Sequence, residues 1–254
     1  MMASMIHLKS HDEIERLFEV GQIVGEVHDR IGKMVERGIS TAELDAKAEN
    51  MIRKRGAKPA FKGYSGYPAT ACISINEEVV HGIPSKKRRL KEGDLVSIDL
   101  GAILKGWYGD AARSYVVGEN PIALDLERAT HQSLWNAIEV MVPGAYLGDI
   151  GHAVQSYVEP LGYSVVRDFV GHGIGRALHE EPQIPNYGIP RRGVKLRAGM
   201  VLAVEPMINL GSYEINILKD GWTAVTNDGK LSAHWEHSIA VTEGGPRVLT
   251  KVGI

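Results

Sequence analysis

The chain has almost no cysteine and no long apolar segment. Cys72 is the only cysteine among 254 residues, so no disulfide can form within the chain, as is typical of proteins from reducing compartments. Residues Met1 to Glu13 contain no apolar core of a signal peptide. No segment approaches the roughly 18 apolar residues that a transmembrane helix requires. We therefore expect a soluble, cytoplasmic protein without a membrane partner.

The chain also lacks an excess of charge of either sign. Its 29 Lys and Arg residues are balanced by 31 Asp and Glu residues, which gives a net charge of −2. This balance argues against a broad electrostatic attraction to DNA or RNA. The one concentrated basic run is Lys86-Lys87-Arg88-Arg89. It is either a solvated loop or a local contact with an RNA-rich surface such as the ribosome.

Three common catalytic patterns are missing as well. The sequence contains no His-Glu-x-x-His zinc motif, no Gly-x-Ser-x-Gly nucleophile motif and no phosphate-binding P-loop. Any hydrolytic chemistry must therefore come from another arrangement of side chains.

Two apolar segments that end in a carboxylate stand out among the residues that are present. The run Gly199 to Ala203 leads into Val204-Glu205-Pro206-Met207, and the run Gly93 to Ile98 leads into Asp99. Continuous apolar runs bounded by Gly or Pro are typical of strands that are covered on both faces. A carboxylate at the end of such a strand is costly unless it is paired or binds a metal ion. The two acids (205 − 99 = 106) and the two glycines (199 − 93 = 106) are separated by the same interval.

The same interval recurs along the chain and indicates an internal duplication. It also separates Gly38 from Gly144, Gly56 from Gly162, and Leu44 from Ile150. A His-Gly-Ile sequence occurs at 81–83 and again at 172–174, where the shorter interval (172 − 81 = 91) implies an insertion within 61–75 and a balancing one within 176–197. We therefore predict an α+β fold of two fused helix–helix–strand halves, about 10–118 and 119–250, within a single domain of residues 1–254.

Local patterns predict how the halves are built. The capping box Ser10-His11-Asp12-Glu13 begins a helix that we expect to run to about Val35. A hairpin turn at Lys105-Gly106 joins the Asp99 strand to a return strand. In the second half, we predict a glycine-rich turn at 171–175 and a polar loop from Glu180 to Lys195.

Four carboxylates and one histidine form a candidate metal site. Asp110 lies 11 residues beyond Asp99 (110 − 99 = 11) across the predicted hairpin, and Glu205 with Glu236 repeats the arrangement in the second half. Carboxylates so close together repel each other unless they are protonated or bridged by cations. His172 supplies a nitrogen donor between glycines that leave room for ions or substrate. The donor set suits Co, Mn, Fe or Zn, and two divalent metal ions balance four carboxylates better than one.

Two further histidines are candidates for acting on a substrate. The repeat pairs His81 with His172, and His179 follows His172 by seven residues (179 − 172 = 7). The remaining central histidines lack such placement, and we expect them to be surface groups or supports behind the ligands: His131, His152, His234 and His237.

Taken together, these motifs resemble type I methionine aminopeptidase. The segments that carry the resemblance span nearly the whole chain: Cys72-Ile73-Ser74-Ile75-Asn76-Glu77, His81-Gly82-Ile83-Pro84, Gly171-His172-Gly173-Ile174-Gly175, His179-Glu180, Glu205-Pro206-Met207, Asp220-Gly221-Trp222-Thr223 and Glu236-His237. The resemblance implies the pita-bread fold, in which two pseudo-symmetric αα-β halves surround a central antiparallel sheet. It also implies a dinuclear metallohydrolase that removes the initiator methionine from nascent polypeptides. The chain is similar to the short bacterial form, with neither a zinc-finger extension nor the type II helical insertion.

The resemblance further implies a role for each site residue. It places the metal ligands at Asp99, Asp110, His172, Glu205 and Glu236, and the methionine pocket at Tyr64, Tyr67, Cys72 and Trp222. His81 and His179 become catalytic, substrate-binding histidines, His81 at the scissile amide nitrogen and His179 at the carbonyl oxygen. Glu205 is expected to relay the proton to the leaving amine. Phe61, Val80 and Leu178 differ from residues found in some relatives and leave the shape of the pocket wall open.

Two alternative functions remain at this point. Xaa-Pro peptidases resemble this chain in fold and ligands, but they usually carry a separate N-terminal domain for which the chain has no room. A non-catalytic module of the same fold would bind a peptide or the ribosome, but such modules tend to lose ligands, and all five are present. We expect a monomer that binds nascent polypeptide N-termini and no DNA. Because the resemblance requires a small second residue in the substrate, the start Met1-Met2-Ala3 predicts that the enzyme keeps its own Met1.

Overall fold

The computed structural model describes residues 6–252, so the prediction about Met1 and Met2 lies outside the described residues. The described chain forms four α-helices: α1 (His11–Gly32), α2 (Thr41–Lys54), α3 (Pro121–Glu139) and α4 (Leu147–Val158). Short 3₁₀ turns lie at Tyr64–Gly66 and Glu159–Leu161. None of the helices in this part of the chain combines the length and the apolar character needed to cross a membrane.

Fifteen strands complete the described structure. They are β1 (Lys58–Pro59), β2 (Ala71–Ile75), β3 (Glu78–Val80), β4 (Leu95–Leu104), β5 (Trp107–Val116), β6 (Ser164–Val165), β7 (Gly171–Gly173), β8 (Glu180–Ile184), β9 (Val201–Val204), β10 (Met207–Asn209), β11 (Ile215–Ile217), β12 (Ala224–Thr226), β13 (Ser232–His234), β14 (His237–Thr242) and β15 (Gly245–Val248).

The strands form two larger and two smaller antiparallel sheets. In the first half, β4 is central and pairs with β1, β2 and β5. The second half contains a five-stranded sheet in the order β15-β14-β9-β7-β8. The smaller sheets have the orders β13-β10-β6 and β11-β12-β3. The last of these joins the halves, because β3 belongs to the first half and β12 to the second.

The predicted repeat is visible in the backbone. Three pairs of glycines separated by 106 residues all have positive φ: Gly38 (95°) and Gly144 (97°), Gly56 (75°) and Gly162 (88°), and Gly93 (84°) and Gly199 (93°). Equivalent bridges also join Ser40 to Arg89 and Tyr146 to Lys195 (146 − 40 = 195 − 89 = 106). Only glycine adopts positive φ without steric cost, so the same turns are required at matching points of both halves.

Each half has an apolar core beneath its pair of helices. In the first half, α1 and α2 bury residues such as Leu17 and Leu44 against the sheet around β4. In the second half, α3 and α4 bury residues such as Leu126 and Ile150 against β9 and β14. The helices therefore cover the outer faces of the sheets.

The structure corrects three local predictions. The helix α1 ends at Gly32, not near Val35, because the bonds Met34 N–H to Ile31 and Val35 N–H to Gly32 (2.8 and 3.3 Å) tighten its end into i→i−3 turns. The first acidic strand does not end at Asp99, since β4 continues to Leu104 and pairs along its whole length with β5. The hairpin turn at Lys105 and Gly106 is where the sequence predicts it, with φ of 51° and 80°.

The third correction concerns the glycine-rich segment of the second half. Residues 171–173 form the strand β7 between β8 and β9, and the first residues of the predicted polar loop form the edge strand β8. A side chain at Gly171 would lie 2.3 Å from the Ala203 carbonyl oxygen, and one at Gly173 would lie 2.3 Å from that of Glu181. The glycines therefore serve close strand packing here and not a turn.

Candidate metal centre

The first two predicted ligands project from a hairpin. In the β4–β5 ladder, Asp99 lies opposite Ala112, and Asp110 lies opposite Gly101. The two acids are thus diagonal neighbours on the same face of the sheet, not directly opposite each other. This diagonal placement still brings their carboxyl groups close enough to interact, since each affects the pKa of the other.

A junction between the two larger sheets brings in the acids of the second half. The amide of Glu236 donates to the Ala112 carbonyl at 2.8 Å, and the hydroxyl of Ser238 donates to the Asp110 carbonyl at 2.8 Å. Glu236 lies between β13 and β14, and Glu205 follows the last residue of β9. Since β9 pairs with β14 through Val204 and His237, the two glutamates emerge side by side.

His172 approaches the acids from β7. Its Nδ1 lies 3.0 Å from the Gly173 carbonyl, which accepts a hydrogen bond from Nδ1–H. This contact leaves the lone pair on Nε2, which lies 3.6 Å from Glu205 Oε1 and 3.9 Å from Asp110 Oδ2. The imidazole is therefore oriented as a metal ligand would be, with its other nitrogen bonded to the protein.

The electrostatics of the cluster require protons or cations. Burial raises the pKa of Asp99 to about 7 and that of Glu205 to about 8. Burial first, and neighbouring carboxylates second, hold the pKa of Asp110 and Glu236 well above the usual range. These pKa shifts describe the protein without cations, and a divalent ion among the carboxylates would lower them.

The donor atoms fit the metal ions that the sequence implies. The atoms Asp99 Oδ1, Asp110 Oδ1 and Glu236 Oε1 are buried without a hydrogen-bond partner. Ligand atoms of Asp110, His172 and Glu236 lie within 4.8 Å of one another. Buried carboxylate oxygens without partners are costly, and coordination to a cation would remove that cost.

The two predicted catalytic histidines flank these acids. His81 follows β3 with φ of 62°, and its ring packs edge-on against Phe169 and Trp222, with centroids 5.1 and 6.4 Å away. Burial lowers the pKa of His81 to about 4, so its ring is neutral at physiological pH. Phe169 lies in a loop and carries no sequence signal that would have assigned it to the site.

His179 also lines the site and is exposed to solvent. Its ring centroid is 4.3 Å from that of His172, and its Nδ1 lies 2.7 Å from the Tyr64 hydroxyl. The loop that carries it is fixed by Glu180, whose carboxylate accepts hydrogen bonds from Lys9 Nζ and from the amides of Arg176 and Ala177. Its ring is thereby held beside the candidate ligands.

A cavity with a volume of about 210 Å³ connects these groups. It is lined by the five candidate ligands, both histidines and a wall of mostly apolar side chains: Phe61, Tyr64, Ser65, Tyr67, Cys72, Leu178 and Trp222. The Tyr67 hydroxyl donates a hydrogen bond to the Gly82 carbonyl, 3.0 Å away. Val80 does not line the cavity but is buried with Met207 and Ala224 in a small separate cluster. The lining thus combines the acids with mostly apolar side chains.

One residue at the site was not assigned to it from the sequence. His234, expected to be a surface or supporting group, is only 2% exposed, and its Nε2 lies 3.5 Å from Glu205 Oε2. No local signal placed it there, since Glu236 lies outside β13 and the contact depends on the pairing of β13 with β10. The His131 ring packs against Trp235, the His237 ring is hydrogen-bonded to Thr250, and His152 is exposed on α4.

Comparison with known proteins identifies the family. Residues 15–243 match the family model described as "Metallopeptidase family M24". The chain belongs to this family. A methionine aminopeptidase from Clostridium acetobutylicum is 51% identical over 97% of this chain and 99% of its own length. The crystal structure of a methionine aminopeptidase from Thermotoga maritima superimposes with a TM-score of 0.96 at 47% identity, covering 98% of this chain and all of the other.

A more distant relative bears on the alternative function. The prolidase from Pyrococcus furiosus superimposes with a TM-score of 0.79 at 26% identity, and the match covers 97% of this chain but 66% of the prolidase. These relatives confirm the predicted pita-bread fold and the resemblance to methionine aminopeptidases. The fold is shared with prolidases, whereas the full-length match is with methionine aminopeptidases of bacterial size.

Proposed function

We propose that this chain is a methionine aminopeptidase that hydrolyses the first peptide bond of polypeptides whose second residue is small. The observation that carries the proposal is the cavity in which five metal-ligand candidates and two histidines meet a mostly apolar wall. A free α-amino group suits the acidic side, and a methionine side chain suits the apolar side. Thioether sulfur also makes favourable contacts with aromatic rings such as those of Tyr67 and Trp222.

Two divalent cations would be held by Asp99, Asp110, His172, Glu205 and Glu236. Four carboxylates with one imidazole carry too much negative charge for a single ion, and Co, Mn, Fe and Zn all accept these donors. When bound, such ions polarise the scissile carbonyl and lower the pKa of water.

Chelation should remove activity, and titration with divalent metal should restore it with a second, weaker binding step. Full activity at one ion per chain would show that the second ion is not needed.

The proton transfers are assigned to Glu205. Its carboxyl group lies at the end of a buried strand and beside the cavity, where it can take a proton from the attacking water and deliver it to the leaving amine. His179 would donate a hydrogen bond to the carbonyl oxygen as negative charge develops there. In this assignment the hydroxyl of Tyr64 donates to Nδ1, which leaves the proton of the neutral ring on Nε2. His81, from the other side of the cavity, would contact the scissile amide nitrogen.

The specificity follows from the space around the scissile bond. Cations held by the five ligands, together with the two histidines, would leave little room for the second residue of the substrate, and added volume in a packed site costs about 1–3 kcal/mol. The test compares Met-Ala-Ser, Met-Leu-Ser and an Xaa-Pro peptide with the metal-loaded enzyme. We expect Met-Ala-Ser to be cleaved at least tenfold faster than Met-Leu-Ser. Preferred cleavage of the Xaa-Pro peptide would favour the prolidase alternative, and no turnover with metal bound would favour a binding module.

We assign the enzyme to the cytoplasm as a monomer that acts on nascent chains. Every proposed ligand and catalytic group comes from one chain, so a partner subunit is not needed to complete the site. A ribosome contact would use Lys86 and Lys87, which are exposed, because Arg88 is bonded to Glu78 at 2.6 Å and Arg89 to the Gly38 carbonyl at 2.7 Å. Neutralising the two lysines should weaken sedimentation with ribosomes at low salt without changing peptide turnover. Unchanged sedimentation would leave the solvated-loop interpretation.

A further inference from the structure

His234 is a buried polar group that the mechanism above does not use. Its side chain is 2% exposed, and its Nε2 is buried without a hydrogen-bond partner. That atom faces the carboxylate of Glu205 at 3.5 Å. Because an unpartnered imidazole nitrogen costs free energy when it is buried, its retention at this point indicates that it has a partner in the working enzyme.

The fold holds His234 firmly in place. It ends β13 and pairs with Met207, the first residue of β10. Its amide donates to the Ser114 hydroxyl at 3.0 Å, and its carbonyl accepts from the same hydroxyl at 2.9 Å. Ser114 is itself bonded to Ser97 across the β4–β5 ladder at 2.8 Å. The main chain of His234 is thus anchored to the same sheet that presents Asp99 and Asp110.

The surroundings of the ring favour a cation as the missing partner. A neutral imidazole offers one nitrogen lone pair to a cation. Donor atoms of Glu205, His234 and Glu236 lie within 4.8 Å of one another, as do those of Asp110, His172 and Glu236. The two groups share Glu236, so each contains two carboxylates and one imidazole.

We propose that His234 is an additional metal ligand, which donates its Nε2 lone pair to the cation that Glu205 and Glu236 hold. This inference rests on the proposed metalloenzyme function and extends its ligand set from five residues to six. A second imidazole makes the site more favourable for metals that prefer nitrogen donors, such as Zn, Co and Fe, than for Mn. His234 would therefore contribute to the choice of metal.

The decisive test is proton NMR of the Co(II)-loaded protein in H₂O and in D₂O. Each imidazole bound to paramagnetic Co(II) carries an N–H proton that gives a strongly shifted, solvent-exchangeable resonance. We expect two such resonances in the wild type, from His172 and His234, and one in His234→Gln. The control is His152→Gln, a change at an exposed histidine of α4, which should retain both resonances.

The outcomes separate this inference from the function on which it rests. A single exchangeable resonance in the wild type, unchanged in His234→Gln, would overturn the ligand role and leave His234 as a hydrogen-bond donor to Glu205. The absence of any shifted resonance would overturn the metal site as well. The wild-type count decides the matter even if the variant does not fold. Calorimetric titrations add a second readout, in which His234→Gln should lose at least tenfold more affinity for Zn than for Mn, and an equal loss for both metals would contradict the proposal.

Discussion

Glu205 is a buried carboxylate that contacts two histidines. It follows the buried strand β9, faces His172 on one side and His234 on the other, and has a pKa that burial raises to about 8 in the absence of cations. In the proposed mechanism, a carboxylate is needed at this position both for charge and for proton transfer. The position was predictable because the apolar run before it ends in an acid. Its contact with His234 was not, because that contact depends on pairing between β10 and β13.

Replacing Glu205 with Gln should abolish turnover. The amide neither offsets the charge of the cations nor carries a proton, so we expect kcat to fall by about 10²–10⁴, the range typical of lost acid–base catalysis. Metal content measured on the same sample separates a lost ion from a lost proton relay. A variant that binds metal and retains more than about a tenth of the wild-type rate would remove Glu205 from the proton transfers.

The metal-free protein should lose stability as the pH rises from 6.5 to 8.5. The folded pKa of Asp99 is about 7 and that of Glu205 about 8, both above their values in the unfolded chain, so the folded state retains protons that the unfolded state has lost. Each retained proton lowers the free energy of unfolding by up to about 1.4 kcal/mol per pH unit. Buried histidines such as His172, whose folded pKa is about 4, make the free energy of unfolding rise with pH. They do so only below the pKa of unfolded histidine, about 6.5, and so do not affect this interval.

Thermal melting in the presence of a chelator measures this dependence. The Tm should fall across the interval in the wild type and fall less steeply in Asp99→Asn, which cannot titrate at that position. Saturating metal should abolish the fall, since metal ions bind the deprotonated ligands. A Tm that rises across the interval in chelator would contradict the assignment of buried, protonated carboxyl groups.

Among the elements, the loop between β7 and β8 depends on a contact from the start of the chain. Lys9 is 7% exposed, its amide donates to the Gly199 carbonyl at 2.7 Å, and its Nζ lies 2.6 Å from Glu180 Oε2. Burial opposes ionisation of Glu180, but Lys9 and the two loop amides outweigh it and lower the pKa of this carboxyl. The ion pair therefore fixes the loop that carries His179.

Replacing Lys9 with Met should slow catalysis and destabilise the fold. Glu180 keeps its two amide donors and is partly exposed, so we expect a loss of about 1–3 kcal/mol, as for a polar group left without one partner. The displaced His179 should lower kcat more than it changes metal affinity. The matched control is Lys105→Met, which removes an exposed pair with Glu19 (3.1 Å) and should cost less than about 1 kcal/mol. Equal effects of the two variants on Tm and kcat would show that the Lys9 contact does not position the loop.

Sequence patterns predicted correctly the elements that depend on neighbouring residues, and failed where contacts between distant strands decide the structure. The capping box at Ser10, the hairpin turn at Lys105-Gly106 and the apolar strand before Glu205 all depend on neighbouring residues, and all appear in the structure. The segment 171–173 was predicted as a turn because glycines usually mark turns. In the fold its glycines permit close approach of β8 and β9, a requirement set by strands distant in sequence. His234 was missed for the same reason.

At the scale of the whole molecule, the two halves are closely connected. β3 pairs with β12, and α1 packs so tightly against the C-terminal segment that a side chain at Gly21 would lie 2.5 Å from the Leu249 carbonyl oxygen. The Gln22 side chain also donates to that carbonyl, at 2.8 Å. The candidate ligands come from both halves, two from the first and three from the second. A cation at the site would therefore bind the halves to each other.

We propose that the duplicated halves, about 10–118 and 119–250, unfold as one unit. Hydrogen exchange of the buried strands β4 and β9, one from each half, should report the same free energy of opening, because neither core can be exposed without breaking the contacts between the halves. Gly21→Ala should lower both values by the same amount, since the added methyl group strains the contact of α1 with Leu249. Metal at 100 times the dissociation constant of the tighter site should raise both by at least about 2.7 kcal/mol. Different free energies of opening for β4 and β9, or protection of one strand alone by metal, would contradict this proposal. The halves would then be two separate cooperative units and not one domain.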